Sequence, residues 1–198
     1  MDIPVVLSHK TAWLLRRTKH FADMRDRARE RGRQCGEGPF LEDADLPDIG
    51  LREYGAPAHT VVQRITDALV SWGVPAQDAA DIDVLVPFHN DRVRSRHLAC
   101  HVHGGIVGEE SVLPVARGLL SVGDALCFTQ AATWMDRRAL IEFGYELCGR
   151  YYLPFGQPYA EHDPYASKLE LSQGVARLRG TRGVTAARTA LASVFDGS

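Results

Sequence analysis

The chain has 198 residues, 45% of them hydrophobic and 24% charged, with 18 Gly and 10 Pro. That composition supports a folded core without staples and excludes collagen-like and wholly disordered chains. The formal net charge is −2, yet residues 1–33 hold nine Lys and Arg against four Asp and Glu, and residues 34–60 hold one against six. The imbalance makes a basic N-terminal end and does not imply nucleic-acid affinity for the whole chain.

The cysteines, Cys35, Cys100, Cys127 and Cys148, form no Cys-x-x-Cys pair, and the N-terminus joins no basic end to a long apolar stretch. Neither a disulfide scaffold nor a secretory signal is expected. No run approaches the roughly 18–20 apolar residues of a membrane span. The simplest expectation is a cytoplasmic protein with no membrane partner.

Val5, Val6 and Leu7 read as a short strand, with Ser8 placed to cap a helix through Ala12, Trp13, Leu15 and Arg16. From Phe21 to Arg33, arginines alternate with Asp, Ala and Glu and leave almost no apolar face, which predicts a solvated helix extension or a mobile arm. Residues 34–56, rich in Gly, Pro and acids, read as a long surface loop. A basic and acidic segment at about 21–56 is thus the flexible part of a single domain spanning 1–198.

Pro57 opens a helix whose apolar positions Val61, Val62, Ile65, Ala68, Leu69 and Trp72 recur at three and four, with Gly73 as its C-terminal cap. Ile82 to Val86 is continuous, β-branched and ended by Pro87, the pattern of a buried strand. A second strand is expected at Leu98 to His103, and a third near Val112 to Val122, interrupted at Pro114 and Gly118. Asp124 is placed to cap a helix through Phe128 and Trp134, and Asp136 another through Leu140, Phe143, Leu147 and Tyr151. The second of these is apolar around more than half its circumference and is expected to pack on the sheet. Helices near Ser167 to Leu178 and Gly183 to Phe195 complete an α+β chain, a small mixed β-sheet covered by several helices.

His97, Cys100, His101 and His103 raise zinc chemistry, since imidazole and thiolate are its preferred ligands and His97, His101 and His103 share one strand face. Side chains on one straight strand diverge along its length, however, and the spacing fits no standard zinc pattern. No metal is expected. Asp81 and Asp83, with Glu109 and Glu110, could serve a metal-dependent nuclease, but Arg94 and Arg96 stand where such enzymes want a Lys. There is no Gly-x-Ser-x-Gly elbow and no Gly-Lys-Ser/Thr phosphate loop, and Cys100 and His101 project to opposite faces. No catalytic residue and no cofactor is assigned.

The C-terminal RGTRGVTAARTAL is more informative. Val184, Ala187, Leu191 and Val194 form the buried stripe of a helix begun by Gly183, with Arg179, Arg182 and Arg188 crowding its N-terminal end. Basic side chains beside free helix amides can hold a phosphate. Arg16 and Arg17 are concentrated in the same way near the first helix.

VVLSHKTAWLLRR, VLVPF followed by a basic turn and HLACHVH, GLLSVGDALCFTQAATWMDRRALIEFGYELCGRYYL, and RGTRGVTAARTALASVFDGS fall in the order seen in the AbiEi-like proteins of bacteria. The chain resembles that family over most of its length. Its members are type IV antitoxin-type transcriptional regulators of abortive infection and viral defence. Many relatives carry an N-terminal winged helix, a middle domain and a nuclease-like domain similar to very-short-patch repair endonucleases. Here the sequence begins at the VVLSH strand and stops at Gly197-Ser198, where relatives run on into a Ser-Pro-x-Glu segment, so the resemblance is to the middle domain.

The resemblance implies a non-catalytic binding and positioning module in a defence-type regulator. Its expected partners are DNA phosphates, bound weakly and without sequence preference through Arg16, Arg17, Arg179, Arg182 and Arg188, or a cognate toxin, or the nuclease-like domain. The rival expectation is a metal-dependent nuclease or nucleotidyl-processing enzyme using Asp81 and Asp83.

Overall fold

The structure, a computed structural model, describes residues 4–35, 54–103 and 111–195. The fold is α+β, and the chain divides into two compact units, Met1–Ser121 and Val122–Ser198.

The first unit is organised by β1 (Val5–Leu7), β2 (Ile82–Val86), β3 (Leu98–Val102), β4 (Val112–Ala116) and β5 (Leu119–Val122), which form one sheet in the order β3-β2-β1-β5-β4. β1 runs antiparallel to β2, with Leu7 opposite Val84, and parallel to β5, with Val5 opposite Leu119. β2 and β3 are parallel, from Ile82 opposite Leu98 to Val86 opposite Val102. A central strand has both faces to bury, which explains why Val5, Val6 and Leu7 carry no polar alternation and are all buried. The inner position of β2, beside β3, agrees with its continuous apolar run, which only Asp83 breaks. The third expected strand is two strands: Gly118, at φ +74°, turns the chain where the sequence reads as an interruption.

Ser8 stands at the N-cap position of α1 (His9–Arg16), but its side chain makes no capping bond and lies 3.1 Å from His9 Nδ1 instead. α2 (Lys19–Cys35) is the helix extension expected of the charged run, anchored at its start by buried Phe21 and Ala22. Residues 36–53, most of the expected acidic loop, lie outside the described residues. α3 (His59–Ser71) buries Val62, Ile65 and Leu69, and Gly73 at φ +102° ends it. There the Gly73 N–H donates to Val70 O and the Val74 N–H to Leu69 O, each at 3.0 Å, closing a Schellman motif. A short α4 (Ala76–Ala79) leads into β2.

The second unit holds α5 (Asp124–Ala131), α6 (Arg137–Cys148), a ribbon of β6 (Tyr151–Tyr152) and β7 (Ala160–Glu161), α7 (Lys168–Arg177) and α8 (Val184–Leu191). Asp136 caps α6 as expected, its carboxylate accepting the Ala139 N–H at 2.8 Å. Ser167 and Glu170 form a reciprocal capping box on α7. Asp124 is not a cap: Gly123 holds that position and Asp124 opens the first turn, where a carboxylate favours the helix dipole. α6 ends at Cys148, so Tyr151 belongs to the ribbon. α8 ends at Leu191, four residues short of Phe195, although Val184, Ala187, Leu191 and Val194 are all buried. Within this unit α6 packs on α5, α8 and β6, and α7 packs on α5 and α8. Two glycines permit these approaches: a Cβ on Gly174 would meet Ala125 Cβ at 2.5 Å, and one on Gly144 would meet Val194 Cγ2 at 2.6 Å. Among the described residues no helix is long and apolar enough to cross a membrane.

Candidate functional site

A polar cluster forms among the described residues of the first unit where β1 passes into α1 beside β2 and β3. The Ser8 N–H donates to Asp83 O at 2.9 Å and the Asp83 N–H donates to Thr11 Oγ1 at 2.8 Å, so the strand-to-helix turn is clamped to β2 at one residue. That clamp places the Asp83 carboxylate 2.7 Å from His101 Nε2 on β3, and the His101 ring stacks on His9 with centroids 3.6 Å apart. His9 is held at φ +45°, the left-handed region that a non-glycine residue rarely occupies. Burial lowers its pKa to about 4, with neighbouring His101 and His103 acting in the same direction and Asp83 against them. Burial also lowers the His103 pKa. The cluster therefore sets a neutral, half-buried imidazole against a hydrogen-bonded Asp–His pair, which is the equipment of proton transfer.

The two carboxylates considered for metal-dependent chemistry turn to different histidines. Asp81 Oδ1 lies 3.2 Å from His97 Nδ1 at an exposed site, whereas Asp83 is committed to His101. Asp83 is half-buried, its side chain 18% exposed, and so is less solvent-facing than its place on the strand suggests. Glu109 and Glu110 lie outside the described residues. Among the described residues no group of three or more His, Cys, Asp or Glu converges as a metal-binding set. Cys100 and His101 do part company, the Cys100 Sγ donating to Val93 O at 3.7 Å.

Arg16 does not belong to any anion-binding surface. It is 1% exposed, its Nη1 donating to Ala12 O at 2.8 Å and to Ser121 Oγ at 3.4 Å, with its guanidinium 5.1 Å from the Phe21 ring centroid. Its position on the inward stripe of α1, four residues after Ala12, draws it into the core. Arg17 is half-buried, its guanidinium 4.3 Å from the Trp13 ring. In the second unit Arg179, Arg182 and Arg188 are all exposed. Arg188 does not crowd the N-terminal end of α8 as expected: it sits in the last turn, since the helix ends at Leu191, and reaches Ala176 O at 3.4 Å, while the side chains of Arg179 and Arg182 have no hydrogen-bond or ion-pair partner among the described residues. They flank Gly183, whose φ of +96° turns the chain into α8 and whose missing Cβ would fall 2.2 Å from Thr129 O.

Compared with known proteins, the chain matches no family profile, no curated protein and no solved structure. Nothing in the spacing of His9 marks it in the sequence; the only signal is an imidazole directly after a strand and a cap-type Ser, where the turn brings it against β3. The arginine run 92–96 reads in sequence only as a basic turn.

Proposed function

We propose that the chain is a non-catalytic binding and positioning module of a defence-type transcriptional regulator, and that it contacts DNA phosphates through Arg179, Arg182 and Arg188, with Arg17 as a separate contact. The observation that carries this reading is the exposure of Arg179 and Arg182 just before α8 and of Arg188 in its last turn, the first two without a side-chain partner among the described residues. The likeness of VVLSHKTAWLLRR and the C-terminal RGTRGVTAARTAL to AbiEi-like proteins supplies the regulatory context, and the scattered cysteines, with no Cys-x-x-Cys pair, favour a cytoplasmic setting. Arg16 is left out, since a buried guanidinium cannot meet a phosphate.

Phosphate contacts release counterions, so affinity falls with salt with a slope of about −0.9 per phosphate neutralised on duplex DNA. Fluorescence anisotropy with two unrelated duplexes over several salt concentrations tests this. Arg182→Ala with Arg188→Ala is expected to flatten the slope by about one unit for each phosphate no longer neutralised. Salt-independent binding, or strong discrimination between the duplexes, would overturn the DNA reading, and no binding at all would point to a cognate toxin or nuclease-like domain as partner.

The Asp83–His101 pair with neutral His9 favours a second reading, an enzyme that moves protons. Its support is the 2.7 Å contact beside the stacked imidazole. It requires a reaction of this chain that His101→Ala abolishes while the fold, followed by circular dichroism, is retained.

A further inference from the structure

The β2–β3 connection joins two parallel strands, so the chain must travel back along the sheet within residues 87–97. A turn of 3-10 helix (His89–Asp91) starts the return. Arg92 is extended, at φ −69° and ψ 125°, and Ser95 makes an antiparallel bridge to Leu98. With the Cys100 Sγ contact to Val93 O, that bridge holds the return leg antiparallel beside β3, on the outer edge of the sheet.

The composition of this leg is unusual for a connection. Arg92, Arg94 and Arg96 are exposed, and their side chains have no hydrogen-bond or ion-pair partner among the described residues. Arg92 and Arg94 are two apart in sequence, and in extended chain such residues face the same side about 6–7 Å from each other. The segment's only carboxylate, Asp91, accepts the Phe88 N–H at 3.0 Å and forms no ion pair with these arginines among the described residues. Phe88 itself is 67% exposed and Val93 48% exposed. A solubilising rim needs no bare phenyl ring, and a phosphate site on a duplex needs none either. Arginines with an exposed aromatic ring on one short segment match what unstacked bases require: cations along the backbone and a face on which a base stacks.

We propose that residues 88–96 form a contact site for single-stranded nucleic acid, with Arg92, Arg94 and Arg96 on the phosphates and Phe88 as the stacking platform. The proposal uses none of the α7–α8 arginines and stands or falls without them.

The test uses the whole chain and a fluorescently labelled oligothymidine, with a duplex as comparison, in anisotropy titrations at several salt concentrations. Replacing Arg92, Arg94 and Arg96 together by Ala is expected to reduce the single-strand salt slope by about two units, at roughly 0.7 per phosphate. The matching triple change to Lys keeps the slope. Phe88→Ala is expected to weaken single-strand binding by roughly 5- to 150-fold and leave the slope unchanged, because stacking releases no counterions. A triple Ala change at Arg179, Arg182 and Arg188 should weaken duplex binding and spare the oligothymidine. If it weakens neither, the duplex reading fails and the single-strand site survives. Absence of oligothymidine binding, or binding indifferent to both Phe88→Ala and the Arg92/Arg94/Arg96 change, overturns the proposal.

Discussion

His9 pairs an unfavourable backbone, at φ +45°, with an imidazole whose pKa is lowered to about 4. In the unfolded chain the same group takes up its proton near pH 6.5. Between those values the unfolded state binds more protons, so stability falls as pH drops from about 6.5 to about 4 and is insensitive to this group above about pH 7.5. His103 and His20, also lowered by burial, act with the same sign. After allowance for partial exposure the His9 contribution is on the order of 1–2 kcal/mol. Urea unfolding at about pH 7.5 and pH 5 should show that loss in the parent chain and a smaller one in His9→Asn, which tolerates the left-handed backbone and does not titrate. Arg16 makes the opposite case, a charge kept in the core by a carbonyl, a hydroxyl and a ring. Arg16→Ala removes the long stem as well as the charge and is expected to lower stability by about 3 kcal/mol in urea unfolding, without changing the salt dependence of DNA binding.

Where helices meet in the second unit, glycine is used for proximity. Gly174→Ala brings a methyl group into contact with Ala125 and can be relieved only by moving α7 away from α5; thermal unfolding should register a loss of about 1–3 kcal/mol. Such contacts are illegible in a sequence, because a helical glycine reads as a weakness until its neighbour is known. Periodicity and capping chemistry are legible: β2 and α3 fall where apolar spacing puts them, and Asp136 and Ser167 cap their helices because each is followed three residues on by an amide within reach. Ser8 shows the limit of that rule. Its residue type suits a cap, but the next residue, His9, is left-handed, and the hydroxyl meets the imidazole with no helical amide bound. Arg179 and Arg182 are legible as exposed residues before a helix because they flank the turn glycines Gly180 and Gly183, whereas Arg188 falls in the last turn of α8. The Asp83–His101–His9 set is not legible, since its members come from three elements and only the sheet register unites them.

Across the molecule, a net charge of −2 opposes tight association with any polyanion, so local arginines must act at short range. Raising ionic strength from about 50 to 200 mM, across which the screening length shortens to less than about 10 Å, should therefore weaken DNA binding steeply while leaving the unfolding midpoint nearly unchanged. A parallel fall of both would mean that salt acts on the fold.

β1, the middle strand of the sheet, is also the first of its five strands to be synthesised, and its partners are residues 84–85 on one side and 119–121 on the other. During translation at about 5–20 residues per second, Val5–Leu7 waits on the order of ten seconds before its second neighbour leaves the ribosome. Throughout that interval the nascent chain carries an apolar strand with an unsatisfied edge, the kind of segment that holdase chaperones cover. A ribosome-stalled chain ending after Ala116 should accordingly be captured by such a chaperone through Val5–Leu7, and one that has extruded β5 should be released.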